Sequence, residues 1–216
     1  APYTADTRLQ FETNGETMVS LDGLPFGIYQ LKEVKAPEGY ESPFADLDQS
    51  QRSFTIGAEE GSREITLETI YNERHPYQLI LQKQTDYGTP VSGITFTVEG
   101  PGEYDGERAT LSELPGMTVL TGTTGEEGVL VLDQMPFGDY RITEQTSSIY
   151  EELESFYVRI HEDGEVELLT NAGGAAVLTD KDQAGEETDV INITVTNIPR
   201  TGELALEKVD SRNSEK

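Results

Sequence analysis

Residues 71–83 read YNERHPYQLILQK, and the chain closes on an echo of them at 196–208, TNIPRTGELALEK. In each copy an Asn ends one strand-like run and a Lys ends the next, with equal spacing, 83 − 72 = 11 and 208 − 197 = 11. Such an echo marks an internal repeat, and a repeat constrains the fold before any local pattern does.

A second pair of segments sets the phase of the repeat. TNGETMVSLDGLPFGIYQLKE at 13–33 matches TGEEGVLVLDQMPFGDYRITE at 124–144, so that Pro25, Phe26, Gly27, Tyr29 and Glu33 fall on Pro136, Phe137, Gly138, Tyr140 and Glu144. This offset is 111 (144 − 33), whereas the Asn pair is offset by 125 (197 − 72), so the later copy carries extra loop residues between its Glu and its Asn. Lys83 then opens a full repeat and Asn197 closes it. The sequence predicts an incomplete domain at 1–75, a complete one at 76–199, and a linker with the first strand of a following repeat at 200–216.

Two domains with real cores fit a chain of 216 residues. The formal charge of −26 argues against nucleic acid or an anionic membrane surface as partner, because phosphate contacts need clustered Lys and Arg. No apolar run approaches the ~20 residues that cross a bilayer, so no membrane insertion is expected in this segment. With no cysteine there is neither a disulfide nor a thiol nucleophile, and an extracellular domain would need another staple. His75 and His161 are isolated, and no Ser-His-Asp set or His-rich metal motif is visible, so neither a turnover enzyme nor a cofactor is expected. The acidic run Asp180 to Asp189 lacks an ordered Ca²⁺-ligand spacing and reads as a solvated loop.

Short alternating runs separated by Gly, Pro and Asn recur throughout, and no window sustains a 3.6-residue apolar period, so both copies read as all-β sandwiches. In the first copy, strands are expected around the Asn14-Gly15 turn, over Ile28 to Val34, Ser53 to Ile56 and Glu64 to Tyr71. In the second they are expected over Gln78 to Gln84, Gly93 to Glu99, Val119 to Thr121, Val129 to Leu132, Asp139 to Gln145, Phe156 to His161, Glu165 to Thr170 and Val190 to Asn197. Residues 100–116 read mainly as Gly- and Pro-rich loop, with a short strand or helical turn at Ala109 to Leu114.

Side chains alternate across a strand, so parity sorts residues by face. Leu79 and Leu81 share a face with Lys83, Tyr140 and Ile142 with Glu144, and Ile191, Ile193 and Val195 with Asn197. Each apolar row ends in a polar group: an amine, a carboxyl or a carboxamide. One reading has every strand fraying into solvent at its tip, with Lys83 snorkelling. The other has the three groups meeting, since buried polar groups are costly unless they find partners. Glu33, Asn72 and Lys208 recur at matched positions, which favours the second.

The Lys83 strand with its following Asp86, the run DQMPFGDYRITE, the closing TVTN and above all LPFGIYQLKEVKAPEGY at 24–40 resemble the Cna B-type (SpaA-like) repeat domains of Gram-positive surface adhesins and pilins. The resemblance covers nearly the whole chain. It implies an inverse immunoglobulin-like sandwich whose first-strand Lys joins a last-strand Asn in a spontaneous isopeptide bond, assisted by a Glu on a middle strand. It also implies an extracellular, cell-wall-attached stalk whose partners are neighbouring repeats of the same polypeptide. Carried onto this sequence, Lys83 is the nucleophile, Asn197 the electrophile and Glu144 the proton shuttle that hydrogen-bonds the Asn carbonyl. The chemistry is sound on its own terms: a Lys in an apolar core loses its charge more readily, and fixed contact between amine and amide can raise the effective concentration to about 10⁵ M or more. A ligand-binding adhesin module, using residues 100–118 against a host matrix protein or glycan, is the alternative function.

The first copy has Glu33 and Asn72 but no opening Lys strand, since Lys32 and Lys35 flank Glu33 itself. At the other end Leu204, Leu206 and Lys208 repeat the alternation of Leu79, Leu81 and Lys83. An open sandwich and a spare Lys strand together suggest strand exchange between chains. Ile198 to Gly202 looks like a sortase sorting motif, but a charged strand follows it, and it reads as a linker between repeats.

Overall fold

The computed structural model describes residues 8–13, 18–45, 52–59, 65–145, 147–179 and 189–206. The chain divides into two compact units, Ala1–Glu73 and Arg74–Lys216. Its strands, in order, are β1 (Gly27–Gln30), β2 (Tyr40–Glu41), β3 (Ser53–Ile56), β4 (Glu73–Arg74), β5 (Tyr77–Thr85), β6 (Thr95–Asp105), β7 (Thr110–Thr123), β8 (Val129–Met135), β9 (Gly138–Glu144), β10 (Phe156–Ile160), β11 (Val166–Leu168), β12 (Ala176–Leu178) and β13 (Val190–Asn197).

The second unit is a two-sheet sandwich. One sheet has the order β11-β10-β9-β6-β7 and the other β12-β13-β5-β8. Alternation along the strands supplies both inner faces: Leu79, Leu81, Leu130, Ile191, Ile193 and Val195 from the four-stranded sheet meet Phe96, Val98, Tyr140, Ile142, Phe156 and Val158 from the five-stranded one. The burial of β13 alternates without a break, and β5 does the same as far as Lys83. These first and last strands of the unit lie side by side and parallel, with Val195 opposite Lys83 and Asn197 opposite Thr85.

Next to Lys83 the backbone of β5 is held closely. Its amide donates to the Gly128 carbonyl at 2.7 Å. Gly128 has φ +73, and a Cβ there would sit 2.4 Å from the Lys83 carbonyl oxygen. Only glycine combines that left-handed conformation with so close an approach.

The structure departs from the sequence reading most at residues 100–116. They are largely strand: β6 and β7 form one long antiparallel hairpin with a register shift between Gly100 and Gly102. Distant groups hold this arm in place. The Tyr104 ring packs on Tyr157 with centroids 4.2 Å apart, the Tyr157 hydroxyl donates to the Ala109 carbonyl, and the Tyr104 amide donates to Asp139 Oδ2 at 2.7 Å. None of these partners is local, so Gly and Pro content misleads there. Strand β12, which pairs with β13, was likewise not expected, because three residues carry no period.

In the first unit β1 pairs antiparallel with β3, and Tyr29 stacks on Phe54. β1 stops at Gln30, so Glu33 lies beyond it rather than on a strand running to Val34. The described residues flanking the Asn14-Gly15 turn, and residues 65–71, form no strand; Asn14, Gly15 and Glu64 themselves lie outside the described residues. So do Asp180 to Thr188 of the acidic run, and Glu207 onward in the expected C-terminal strand, whose described part, 203–206, is not paired.

One device is common to both units. Tyr140 donates its hydroxyl to the Pro136 carbonyl at 2.5 Å, and Tyr29 donates to the Pro25 carbonyl at 2.6 Å, so the Pro-Phe-Gly-x-Tyr turn closes on itself in both copies. In the second unit the ring is in the core, and burial pushes the phenol pKa well up.

Candidate functional site

Strand β5 delivers Lys83 to the inner face after Leu79 and Leu81, and β13 delivers Asn197 after Ile193 and Val195. Asn197 lies one step further along the same face than Val195, the residue opposite Lys83. Glu144 ends the inward row of β9 in the facing sheet. Lys83, Glu144 and Asn197 are 0%, 8% and 2% exposed, so the apolar rows do not fray into solvent at these positions.

A single carboxyl group holds both partners. Glu144 Oε2 faces Lys83 Nζ at 3.1 Å, and Asn197 Nδ2 donates to Glu144 Oε1 at 2.5 Å. Lys83 Nζ also donates to the Val195 carbonyl at 3.4 Å, a partner that parity does not announce. Desolvation lowers the Lys83 pKa from 10.5, and the charge and hydrogen bond of Glu144 only partly oppose it. The carboxamide turns its NH₂, not its carbonyl, toward the acid. The sequence reading expected the carbonyl. The NH₂ is the donor end of Asn, and it meets the acceptor Oε1 of Glu144.

The first unit repeats part of this arrangement. Asn72 Nδ2 donates to Glu33 Oε1 at 2.9 Å, although Glu33 is off the strand. Glu33 Oε2 is buried and has no hydrogen-bond partner among the described residues. Lys32 and Lys35 point outward and are exposed. Lys208 lies outside the described residues.

Sequence reasoning overlooked Asp139, which is 3% exposed. Arg159, directly opposite on β10, grips it through Nε–Oδ1 at 2.6 Å and Nη2–Oδ2 at 2.8 Å. The available signal was an acid beside an inward-facing Tyr, but its partner is set by strand register. Among the described residues no group of three or more His, Asp and Glu is placed to hold a metal ion, and no helix is long and apolar enough to cross a membrane.

Comparison with known proteins follows the same division of the chain. The family model described as SpaA, prealbumin-like fold domain, matches residues 3–70 and again 78–172. Among solved structures, the chain is similar to the TIE protein of Bacillus anthracis, at 25% identity over 82% of this chain and 26% of that one, with a TM-score of 0.44. It is similar to the full-length major pilin SpaD of Corynebacterium diphtheriae at 17% identity over 58% of this chain and 30% of that one, TM-score 0.37. For the C-terminal fragment of the pilus adhesin SpaC from Lactobacillus rhamnosus GG the values are 18%, 85% and 80%, with a TM-score of 0.48. The chain thus spans less than a third of the length of the first two. A search among curated proteins returns no match.

Proposed function

Because the chain belongs to the SpaA family of prealbumin-like fold domains, we propose that it is a stalk or shaft segment of a Gram-positive cell-surface adhesin or pilin, working outside the cell between neighbouring repeats of one wall-attached polypeptide. Its second repeat, 76–199, is stapled by an isopeptide bond between Lys83 and Asn197 that the domain makes once, by itself, with Glu144 as proton shuttle. The observation that carries this reading is the shared carboxyl group, with the Lys amine on one oxygen and the Asn amide on the other, inside an apolar core.

The step balances without any outside reagent. Neutral Lys83 Nζ attacks Asn197 Cγ, forming the Nζ–Cγ bond. The Glu144 carboxylate takes the proton that the attacking nitrogen sheds and delivers that same proton to Nδ2, so that the Cγ–Nδ2 bond breaks, ammonia leaves and the carboxylate is regenerated. Burial shifts the Lys83 amine toward its neutral form, and the reaction draws on the high effective concentration that a fixed site gives. An amide is a poor electrophile, so one slow event is all the geometry needs to support.

The product ties the first strand of the domain to the last and closes a loop of 114 residues (197 − 83). It narrows the unfolded ensemble as a disulfide would, in a chain with no cysteine. Because β5 and β13 run parallel, tension applied at the two ends of the domain loads that tie directly. Intact-mass measurement tests the reading: the folded chain is expected one ammonia lighter than its sequence, and Glu144→Ala restores the full mass. A wild-type chain at full sequence mass refutes the bond.

A further inference from the structure

Four strands form the rims of the sandwich in the second unit: β11 and β7 in one sheet, β12 and β8 in the other. A rim strand offers unpaired backbone groups to any other strand, and proteins blunt it with short length, charge or a bulge. Three of these four rims are blunted. β11 and β12 have three residues each, and Glu167 stands in the first. β8 carries Asp133, and its backbone turns left-handed at the next residue, Gln134, with φ +64. β7 has none of this between Thr118 and Thr123. Its pairing with β6 is unbroken there, and no described segment pairs with its other side. Residues 114–125, LPGMTVLTGTTG, carry no charge, in a chain of net charge −26.

The ladder between β6 and β7 shows which backbone groups are spare. The Thr124 amide donates to the Ile94 carbonyl at 2.9 Å, whereas the Thr95 carbonyl turns the other way and accepts from the Gln145 amide beyond β9, also at 2.9 Å. Antiparallel bonding alternates, so β6 and β7 bond each other at Phe96–Gly122, Val98–Leu120 and Gly100–Thr118. The N–H and C=O of Val119, Thr121 and Thr123 therefore point out from the rim. All three residues are exposed, Val119 at 61%.

We propose that β7 is a pairing edge for a second copy of this chain, with the two strands antiparallel about a two-fold axis at Thr121. Thr121 faces the partner's Thr121 and Val119 faces the partner's Thr123, each pair exchanging two backbone hydrogen bonds. β-branched side chains meet β-branched side chains across the join, which is the pairing that strands favour. The register also keeps acids apart: Glu113 passes beyond the end of the partner strand, and Glu126 comes level with Gly116, which is uncharged. A foreign strand finds no charge on 114–125 by which to be selected, whereas this stretch matches itself. The two five-stranded sheets become one continuous sheet. Pairing uses the unblunted rim of each copy, so the assembly closes at two.

The test measures the mass of the full chain by sedimentation equilibrium across a concentration series. A reversible dimer is expected. Each copy carries a charge of −26, so the dimer should tighten as added salt screens the repulsion. Thr121→Lys places two cations face to face on the axis and should weaken the dimer at least about tenfold. Thr121→Pro removes an outward N–H that the monomer does not use, and should leave a folded monomer by circular dichroism. Register is read from single cysteines in a chain that has none. Thr121→Cys should link to its mate on mild oxidation, because opposed Cα atoms lie about 5.5 Å apart, whereas Thr123→Cys, about 14 Å from its mate, should not. A wild-type chain that stays monomeric up to about 1 mM overturns the proposal. So does a dimer that both Thr121→Lys and Thr121→Pro leave intact, one that falls apart as salt rises, or one in which Thr123→Cys links and Thr121→Cys does not.

Discussion

The two units make the same carboxyl-to-carboxamide hydrogen bond, 2.9 Å between Asn72 and Glu33 and 2.5 Å between Asn197 and Glu144, in very different surroundings. In the second unit the pair sits between two sheets, with a buried amine on the remaining oxygen. In the first, both residues are half-buried, and that oxygen has no hydrogen-bond partner among the described residues. The contrast shows that the Glu–Asn pair does not itself need the closed sandwich. What the second unit adds is a desolvated amine, whose pKa burial lowers from 10.5.

The largest effect should come from the proposed staple. Asn197→Ala, which cannot form the bond, is expected to lose about 5 kcal/mol of unfolding stability in the second unit, by analogy with a disulfide closing a loop of similar length. Asn72→Ala should leave the second unit's transition in place. Denaturant melts of both variants check this, and equal losses would erase the distinction between the units.

A second contrast lies one residue before the shared Tyr. Asp139, buried and gripped by Arg159, occupies the place that Ile28 occupies in the first unit, where it is 81% exposed. Asp139→Ala should cost about 3 kcal/mol, because it strands Arg159 and the Tyr104 amide, while Ile28→Ala should fall within roughly 0.5 kcal/mol of wild type. Thermal unfolding of the pair reads the difference, and a sensitive Ile28 would mean that its side chain is covered in solution.

The tyrosines give a smaller version of the same comparison. Tyr140→Phe leaves the Pro136 carbonyl without its donor at the edge of a closed core and should cost about 1 kcal/mol. Tyr29→Phe, where water can replace the hydroxyl, should cost less than half of that. Matched melts decide it.

The smallest expected signal is a pH slope. In Asn197→Ala, Lys83 keeps its amine, and burial holds its pKa below 10.5. Between that lowered value and 10.5 the unfolded chain binds a proton that the folded chain has released, so stability rises with pH through this window and is lost as pH falls. With the proposed bond formed, wild-type Lys83 is an amide and should show no such contribution. Urea melts at stepped alkaline pH compare the two, and parallel curves would mean that Lys83 titrates normally.

The sequence by itself determined the repeat, the β class, and the three inward rows ending in Lys83, Glu144 and Asn197, because alternation and self-similarity are properties of the chain alone. It could not show that the rows end in one place. That depended on β5 and β13 lying parallel in register and on β9 facing them across the core, and pairings so distant in sequence leave no local trace. The long β6–β7 arm, the Asp139–Arg159 grip and the orphaned oxygen of Glu33 were hidden for the same reason. Burial of a polar group, and whether it finds a partner, is decided by what other segments bring to it, and only the tertiary structure brings them.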